Sequence, residues 1–414
     1  MIENYGDHII YDVLTHRLTR DFPGAIVDVF DVEAGLRGFS TGENVFAIAD
    51  LEARHLKAPY DAIVVTGGSV IHFETLVQKV EREGEKIPYP LWQLWAQASR
   101  VASKYGIALV WNNPEIPIDF TGWRGFAARS LIDPVDFLSV RDADSLRVLH
   151  ELGFEHASLG PDTGWLLRQK FTDDAVALAV PPEISELEKV AVFHCNQRLF
   201  DSDLDGVIQV LRNVESQGFT VVLQALAYTN SEEVRLRELN SAAGGNFLYI
   251  DRQLSVGELV ALFARCDLYI GLSFHGAITT ASFGGEVVAF DYEQRRKTRH
   301  LYGAMGKASN YCTEIGELHA AVAEVLSRGP QLKVVAPQVQ ELARQAEHHF
   351  EILRESMVQP HLAEPKNIDE LYELALVETS DRFAMQEQMR TLSDGYQECL
   401  RQYAELRRSV FGEE

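Results

Sequence analysis

Arg265–Arg299, RCDLYIGLSFHGAITTASFGGEVVAFDYEQRRKTR, is the stretch whose reading decides the fold. Leu268–Gly271 is an apolar run of strand length that delivers Ser273 and His275 to its end. The small residues of Ala277–Phe283 suit a helix, and Glu286–Asp291 reads as a second strand running into Tyr292, Arg295, Arg296 and Lys297. Strand, helix, strand is the unit of a parallel α/β sheet, in which ligands sit outside the carboxyl ends of the strands. One histidine and three adjacent cations therefore fall on a ligand-binding rim. Such a rim suits a substrate carrying phosphate or carboxylate.

The same alternation extends toward the N-terminus. Ile9–Arg20 reads as a helix and Ala25–Phe30 as a strand; Tyr60–Thr66 is a buried strand that runs into Gly67, Gly68 and Ser69. A helix over Pro90–Tyr105 precedes a strand over Ile107–Trp111. Phe137–Val140 is a short strand reaching Arg141 and Asp142, and Ala143–Leu152 a helix that Gly153 closes. Phe171–Lys189, with Pro181 and Pro182, reads as a connection, after which the pattern restarts. Its strands are Val190–Phe193, Thr220–Ala225 and Phe247–Ile250; its helices are Leu204–Gln217, Glu232–Leu239 and Val256–Arg265. The predicted fold class is α/β: two Rossmann-like domains of the GT-B type, 1–168 and 169–330, with a cleft between them and a C-terminal helical extension over 331–414.

In that extension, Val339, Leu342, Ala346, Phe350, Leu353 and Met357 form an apolar stripe after Pro337. Further on, Met385, Met389, Leu392, Tyr396, Cys399, Tyr403, Leu406 and Val410 alternate spacings of four and three. This heptad seam, sustained over roughly three heptads, fits a coiled coil that pairs two copies in a homodimer. It fits equally a helix lying on its own domains, and Gly395 inside it weakens an exposed helix by about 1 kcal/mol.

Composition narrows the partners. Hydrophobic content of 46% and charged content of 24% are those of a soluble globular chain. A net charge of −23 argues against nucleic acid and against an anionic membrane face, though not against a local basic pocket. The four cysteines form no CxxC pair and no disulfide framework, which fits a reducing cytoplasm. MIENYGDHIIYDVL has no basic region followed by an apolar run, and no stretch is long enough to span a bilayer, so a cytoplasmic location without an integral membrane segment is expected. No metal is expected: His348 and His349 point apart on a helix and no HExxH spacing occurs.

Several short blocks, in order, now carry a resemblance: Asn4-Tyr5-Gly6-Asp7; Thr66-Gly67-Gly68-Ser69; Ser139-Val140-Arg141-Asp142 with Ser145 and Leu149; Gly160-Pro161-Asp162; Cys266-Asp267-Leu268 through Ser273-Phe274-His275-Gly276; and Tyr292 followed by Lys297. Over roughly Asn4 to Met305 the chain resembles the polysaccharide pyruvyltransferase family. It departs from the family's usual S-R-x-H signature, because Phe274 stands between Ser273 and His275. Either Arg295, Arg296 or Arg299 then supplies the missing cation, or the donor differs.

The resemblance implies transfer of a pyruvyl group from phosphoenolpyruvate to a saccharide diol, giving a cyclic ketal and phosphate. It implies no resident cofactor, with phosphoenolpyruvate as co-substrate and a saccharide or glycolipid as acceptor, the first domain on the acceptor side and the second on the donor side. The chemistry needs an acid for the enol carbon, a base for the attacking hydroxyl, and cations for the donor. His275 is the candidate catalytic group, since an unperturbed imidazole titrates near neutrality. Arg295, Arg296, Lys297, Ser273, Tyr292 and Arg141 are candidate donor-binding residues, with Gly67, Gly68 and Asp7 offering backbone approach and a further polar group. His194, Asn196 and Gln197, at a strand end, suit either ligand contact or loop fixing. Asp142 reads as a helix cap and Asp162 as structural.

Two other functions remain in view. Asp201, Asp203 and Asp205 contain the D-x-D pattern of some nucleotide-sugar glycosyltransferases, although aspartates before a helix more often cap it. A non-catalytic scaffold on the same fold, presenting the helical tail, is the other.

Overall fold

A computed structural model describes residues 4–36, 44–74, 76–79, 86–199, 201–227, 232–329, 333–359, 368–386 and 388–389. The second half is built on a six-stranded, all-parallel sheet. Its strand order is Leu248–Tyr249, Thr220–Leu223, Val190–His194, Cys266–Gly271, Glu286–Phe290, Tyr311–Cys312. Numbered along the chain this is 3-2-1-4-5-6, the doubly wound order, whose switch point lies between the first and fourth strands. The period-2 alternation of strands shows directly in the packing. Val190 and Val192 face the helices Val256–Arg265 and Phe274–Ser282. Ala191 and Phe193 face Asp201–Ser216 and Ile315–Ser327. Both faces are covered, which is why these strands read as continuous apolar runs.

In the first half Ala62–Thr66 pairs in parallel with Ala108–Asn112, Val110 bridges to Phe137, and Ser139–Val140 pairs with Ser158–Leu159. Trp92, Trp95, Trp111 and Phe73 fill its core, and the helix Trp92–Tyr105 lays Trp92, Trp95, Val101 and Ala102 into it. The fold is thus the two-part Rossmann-like α/β arrangement that the strand–helix alternation predicts.

Two helices are shared between the halves. The first, Tyr5–Asp21, starts four residues earlier than its apolar pattern suggests, because Asn4 caps it by accepting from the Gly6 N–H at 2.9 Å. It packs on the second half: the Tyr5 N–H donates to the Leu226 carbonyl at 2.9 Å, and Tyr5 Oη lies 2.8 Å from Thr279 Oγ1. Pro337–Val358 returns to the strand Ala108–Asn112, with Val339, Ala346, Phe350 and Leu353 buried in a core shared with Tyr5, Ile9 and Val110. Full burial of Val339, Phe350 or Leu353 stabilises the fold by about 1.5–3 kcal/mol each. Helix 369–386 covers the first half, with Tyr372 5.5 Å from Trp92 ring to ring. In the heptad seam, Met385 and Met389 are exposed, whereas Leu392 to Val410 lie outside the described residues.

Elsewhere some differences are of boundary, and some elements have no counterpart in the sequence reading: the helices Leu51–Lys57, Trp123–Ile132, Arg296–Ala304 and Ile315–Ser327 and the edge strand Tyr311–Cys312. Only Val29–Asp31 of the strand expected over 25–30 pairs, and the connection over 171–189 carries the short helix Asp173–Leu178 and a turn at Pro182–Ile184. Cys195, Cys266 and Cys312 are buried thiols.

Candidate active site

The N-terminal ends of four helices meet between the halves: Tyr5–Asp21, Ala143–Glu151, Phe274–Ser282 and Arg296–Ala304. Each end carries the partial positive charge of a helix N-terminus, which favours anions, and Asn4, Asp142 and Ser273 each cap one N–H at the first three. His275 occupies the second position of its helix, and Lys297 the second position of the next.

His275 is 8% exposed. Its Nε2 lies 3.3 Å from Asp162 Oδ2, and its Nδ1 edge faces Gly6, where a Cβ would stand 2.9 Å from Cε1 and 3.0 Å from Cγ. Only glycine leaves room for the ring there. Asp162, read from the sequence as structural, ties three groups together. Its Oδ1 accepts from the Gly164 N–H at 2.8 Å, and its Oδ2 serves both His275 and Arg141 Nη1, at 3.3 Å each. Burial alone would raise its pKa, but His275, Arg141 and the Gly164 N–H together hold the carboxyl well below the usual carboxylate range.

Arg141 leaves the strand Ser139–Val140 with only 3% of its side chain exposed. It lies between Asp162 and Glu115, bonding Glu115 Oε2 through Nη2, and its Nε is a buried donor without a hydrogen-bond partner among the described residues. An orphaned guanidinium N–H beside a cleft is a place for a ligand oxygen. Burial would lower the Arg141 pKa; the two carboxylates raise it instead. Phe274 lies against Arg141, its ring centroid 5.1 Å from the guanidinium carbon, so the aromatic ring helps hold the cation in place.

Lys297 crosses the cleft. Its Nζ reaches Glu115 Oε2 at 3.3 Å and Ser69 Oγ at 3.4 Å, and Ser69 Oγ donates to the same Glu115 oxygen at 2.6 Å. Burial and the nearby Arg141 charge lower the Lys297 pKa, opposed by Glu115. Burial raises and Arg141, Lys297 and Ser69 lower the Glu115 pKa, to about 2. Gly67 turns the chain at φ +118°, where an L side chain is strained. Gly68 brings the backbone close, so that a Cβ there would lie 3.5 Å from Asp7 Oδ1. Asp7 is half-buried in the first turn of its helix.

The remaining sequence candidates have other partners. The Arg295 N–H donates to Asp291 Oδ2 at 2.8 Å, and its side chain pairs with Glu293; Arg296 is largely exposed, 3.5 Å from Asp144. Both line a cavity of about 550 Å³ with Lys297, Glu115, Pro117 and Asp119. Ser273 caps its helix, accepting from the Gly276 N–H at 3.2 Å. Tyr292 Oη donates to Asn196 Oδ1 at 2.8 Å and accepts from the Asn196 N–H, tying two strand ends together; burial raises its pKa. Asp142 caps its helix through the Ser145 N–H at 2.8 Å. His194 lies 2.9 Å from Glu232, away from this network. Asp201, Asp203 and Asp205 stand at the start of Asp201–Ser216. Among the described residues no cluster of three or more His, Cys, Asp or Glu could hold a metal ion, and no helix is long and apolar enough to cross a membrane.

Glu115 is the residue sequence reading misses. Its only signal was its place in Asn112-Asn113-Pro114-Glu115, just past the end of a strand.

Fold and geometry give an α/β protein with a polar side-chain network between two Rossmann-like halves. The chain belongs to the polysaccharide pyruvyl transferase family, whose model matches residues 4–294, and it is accordingly a transferase. Among solved structures it is similar to an S. aureus MnaA–UDP co-structure, with a TM-score of 0.54 at 10% identity over 88% of this chain and 97% of that one. It is also similar to the UDP-GlcNAc 2-epimerase of Methanocaldococcus jannaschii, with a TM-score of 0.47 at 12% identity over 74% and 80%. At such identities the likeness is one of fold. No curated protein matches the chain.

Proposed function

We propose that the chain moves a pyruvyl group from phosphoenolpyruvate to a saccharide diol, forming a cyclic ketal and releasing phosphate, without a resident cofactor. A proton is added to the enol methylene, and one sugar hydroxyl attacks the adjacent carbon. The second hydroxyl then displaces phosphate to close the ketal. Of the two hydroxyl protons, one ends on the new methyl group and the other leaves with phosphate. His275 moves the proton, and Asp162 fixes its ring. Lys297 and Arg141 hold the donor's carboxylate and phosphate, aided by Arg295, Arg296 and the helix N-termini. The acceptor reaches them from the first half. The observation that carries this reading is the meeting of an Asp162-held His275 with Arg141 and Lys297 in one cleft, in a chain of this family.

The test is thermal unfolding with phosphoenolpyruvate and, separately, with a panel of nucleotide sugars, followed by phosphate release with diol acceptors. A ligand at 100 times its Kd stabilises the native state by about 2.7 kcal/mol, a readable shift. The expected result is a shift with phosphoenolpyruvate alone and phosphate release that His275→Ala cuts by about 10²–10⁴-fold. A shift with a nucleotide sugar alone would overturn the reading.

A further inference from the structure

Three donors from three separate segments converge on one oxygen of Glu115. Ser69 Oγ is 2.6 Å from Oε2 and Lys297 Nζ 3.3 Å, and Arg141 Nη2 bonds the same atom. A hydroxyl, an ammonium and a guanidinium around a single oxygen is how proteins bind the oxygens of phosphates and carboxylates. Here a side chain of the protein itself sits in that seat.

We propose that Glu115 is the resident counter-ion of the donor site: its Oε2 occupies the position taken by an oxygen of the donor's phosphate or carboxylate, and its side chain leaves when the donor enters. The inference rests on the proposed pyruvyl transfer only for the identity of that donor.

The backbone of Glu115 is pinned while its side chain has somewhere to go. The Glu115 N–H donates to the Gly68 carbonyl at 3.0 Å, and its carbonyl accepts from the Ile71 N–H at 3.3 Å. Its side chain is 14% exposed and lines the 550 Å³ cavity. Asp162, the other carboxylate on Arg141, has no such freedom: it is 4% exposed and holds Gly164 and His275. Charge points the same way. Arg141 and Lys297 are balanced by Glu115 and Asp162, so an incoming polyanion finds no net positive charge until Glu115 withdraws. A carboxyl held near pKa 2 stays ionised throughout the working range and is a poor proton acceptor, which suits a counter-ion and not a general base.

The test is calorimetric titration of the full chain and of Glu115→Gln and Glu115→Asp with inorganic phosphate, then with phosphoenolpyruvate. Glu115→Gln should tighten phosphate by about tenfold, a gain of the size expected when a like charge leaves the site. Glu115→Asp, which keeps the charge but draws the oxygen back, should tighten it less and decides the matter if the glutamine variant does not fold. Unchanged or weaker phosphate binding in the folded variants would overturn the proposal and make Glu115 a residue that merely holds Arg141 and Lys297 in place. Tightened phosphate without any binding of phosphoenolpyruvate leaves the counter-ion standing and sinks the donor assignment. Turnover of phosphoenolpyruvate with unchanged phosphate affinity in Glu115→Gln does the reverse.

Discussion

Replacing Gly6 with alanine adds one methyl group to the first helix, and the structure sets where that methyl lands. It would overlap His275 Nδ1 and stand 2.9 and 3.0 Å from Cε1 and Cγ, where real Cβ contacts are rarely under 3.4 Å. Neither side yields easily. Gly6 is held by the Asn4 cap and by its neighbour Tyr5, which bonds Leu226 and Thr279. His275 is held by Asp162 on the far side of the ring and by its carbonyl, which accepts from Thr279 Oγ1 at 2.8 Å. The ring must retreat by more than about 1 Å to regain van der Waals distance, breaking its geometry with Asp162. Overpacking of this kind costs about 1–3 kcal/mol, while glycine to alanine in a helix returns up to about 1 kcal/mol. Net stability should therefore fall by no more than about 3 kcal/mol. A displacement of that size at a catalytic group costs on the order of 10²-fold in rate. Phosphate release and thermal melting on the same samples separate the two effects. Gly316→Ala is the control: it lies in Ile315–Ser327 with no atom within 4 Å of the added Cβ, and should leave turnover alone. Gly6→Ala protein with wild-type turnover and an unmoved melting point would show that His275 is not held where the argument needs it.

Two further outcomes follow from groups outside the chemistry. His349 is buried, with Nε2 3.0 Å from Asn112 Oδ1, and burial, with the nearby His348, lowers its pKa from 6.5 to about 4. The unfolded chain takes up that proton as pH falls through 6.5 while the folded chain does not, so stability is lost progressively down to about pH 4. Between pH 7 and 5 the loss should be about 2 kcal/mol, and denaturant titrations of His349→Gln should lack that part of the slope. Asp142→Ala removes a cap that serves both the N–H and the hydroxyl of Ser145, and should cost about 1–2 kcal/mol in denaturant unfolding with turnover within a few-fold of wild type. A collapse of turnover at unchanged stability would move Asp142 into the active site.

What the sequence discloses here depends on the range of the interaction. The strands on either side of His275, the cap at Asp142 and the helix-ending glycines at 153 and 218 are local and legible, whereas the helix holding His275 starts three residues before the small-residue run that marks it and the helix Arg296–Ala304 goes unread. The packing partner of the first helix is not, because it is set by Tyr5 meeting Thr279, residues separated by 274 positions. Strand ends gather ligand-binding residues, but they also gather residues that fasten loops. Ser273 and Tyr292 share that address, and their bonding partners, the Gly276 N–H and Asn196, show only in the coordinates. Glu115 shows the opposite error. An acidic residue between prolines carries no local sign of the serine, arginine and lysine that converge on it from elsewhere in the chain.

Reading Arg295-Arg296-Lys297 as a basic pocket also overstates side-chain charge. In the structure each cation has a carboxylate: Arg295 has Glu293, Arg296 has Asp144, Lys297 has Glu115, and Arg141 has Glu115 and Asp162. In a chain of net charge −23 such pairing keeps buried cations from being stranded without a partner, which costs several kcal/mol when it happens. Backbone adds to this: of the four helix ends that meet at the cleft, Arg296–Ala304 starts without a side-chain cap, while Asn4, Asp142 and Ser273 cap the other three. The helix dipoles are fixed by the fold and need no reorganisation when an anion arrives. The side-chain cations become available only as their carboxylates step aside. On the proposed reading, attraction and release are divided between parts of the protein: the fixed helix ends draw an anionic donor in, and withdrawal of Glu115 frees Arg141 and Lys297 to hold it.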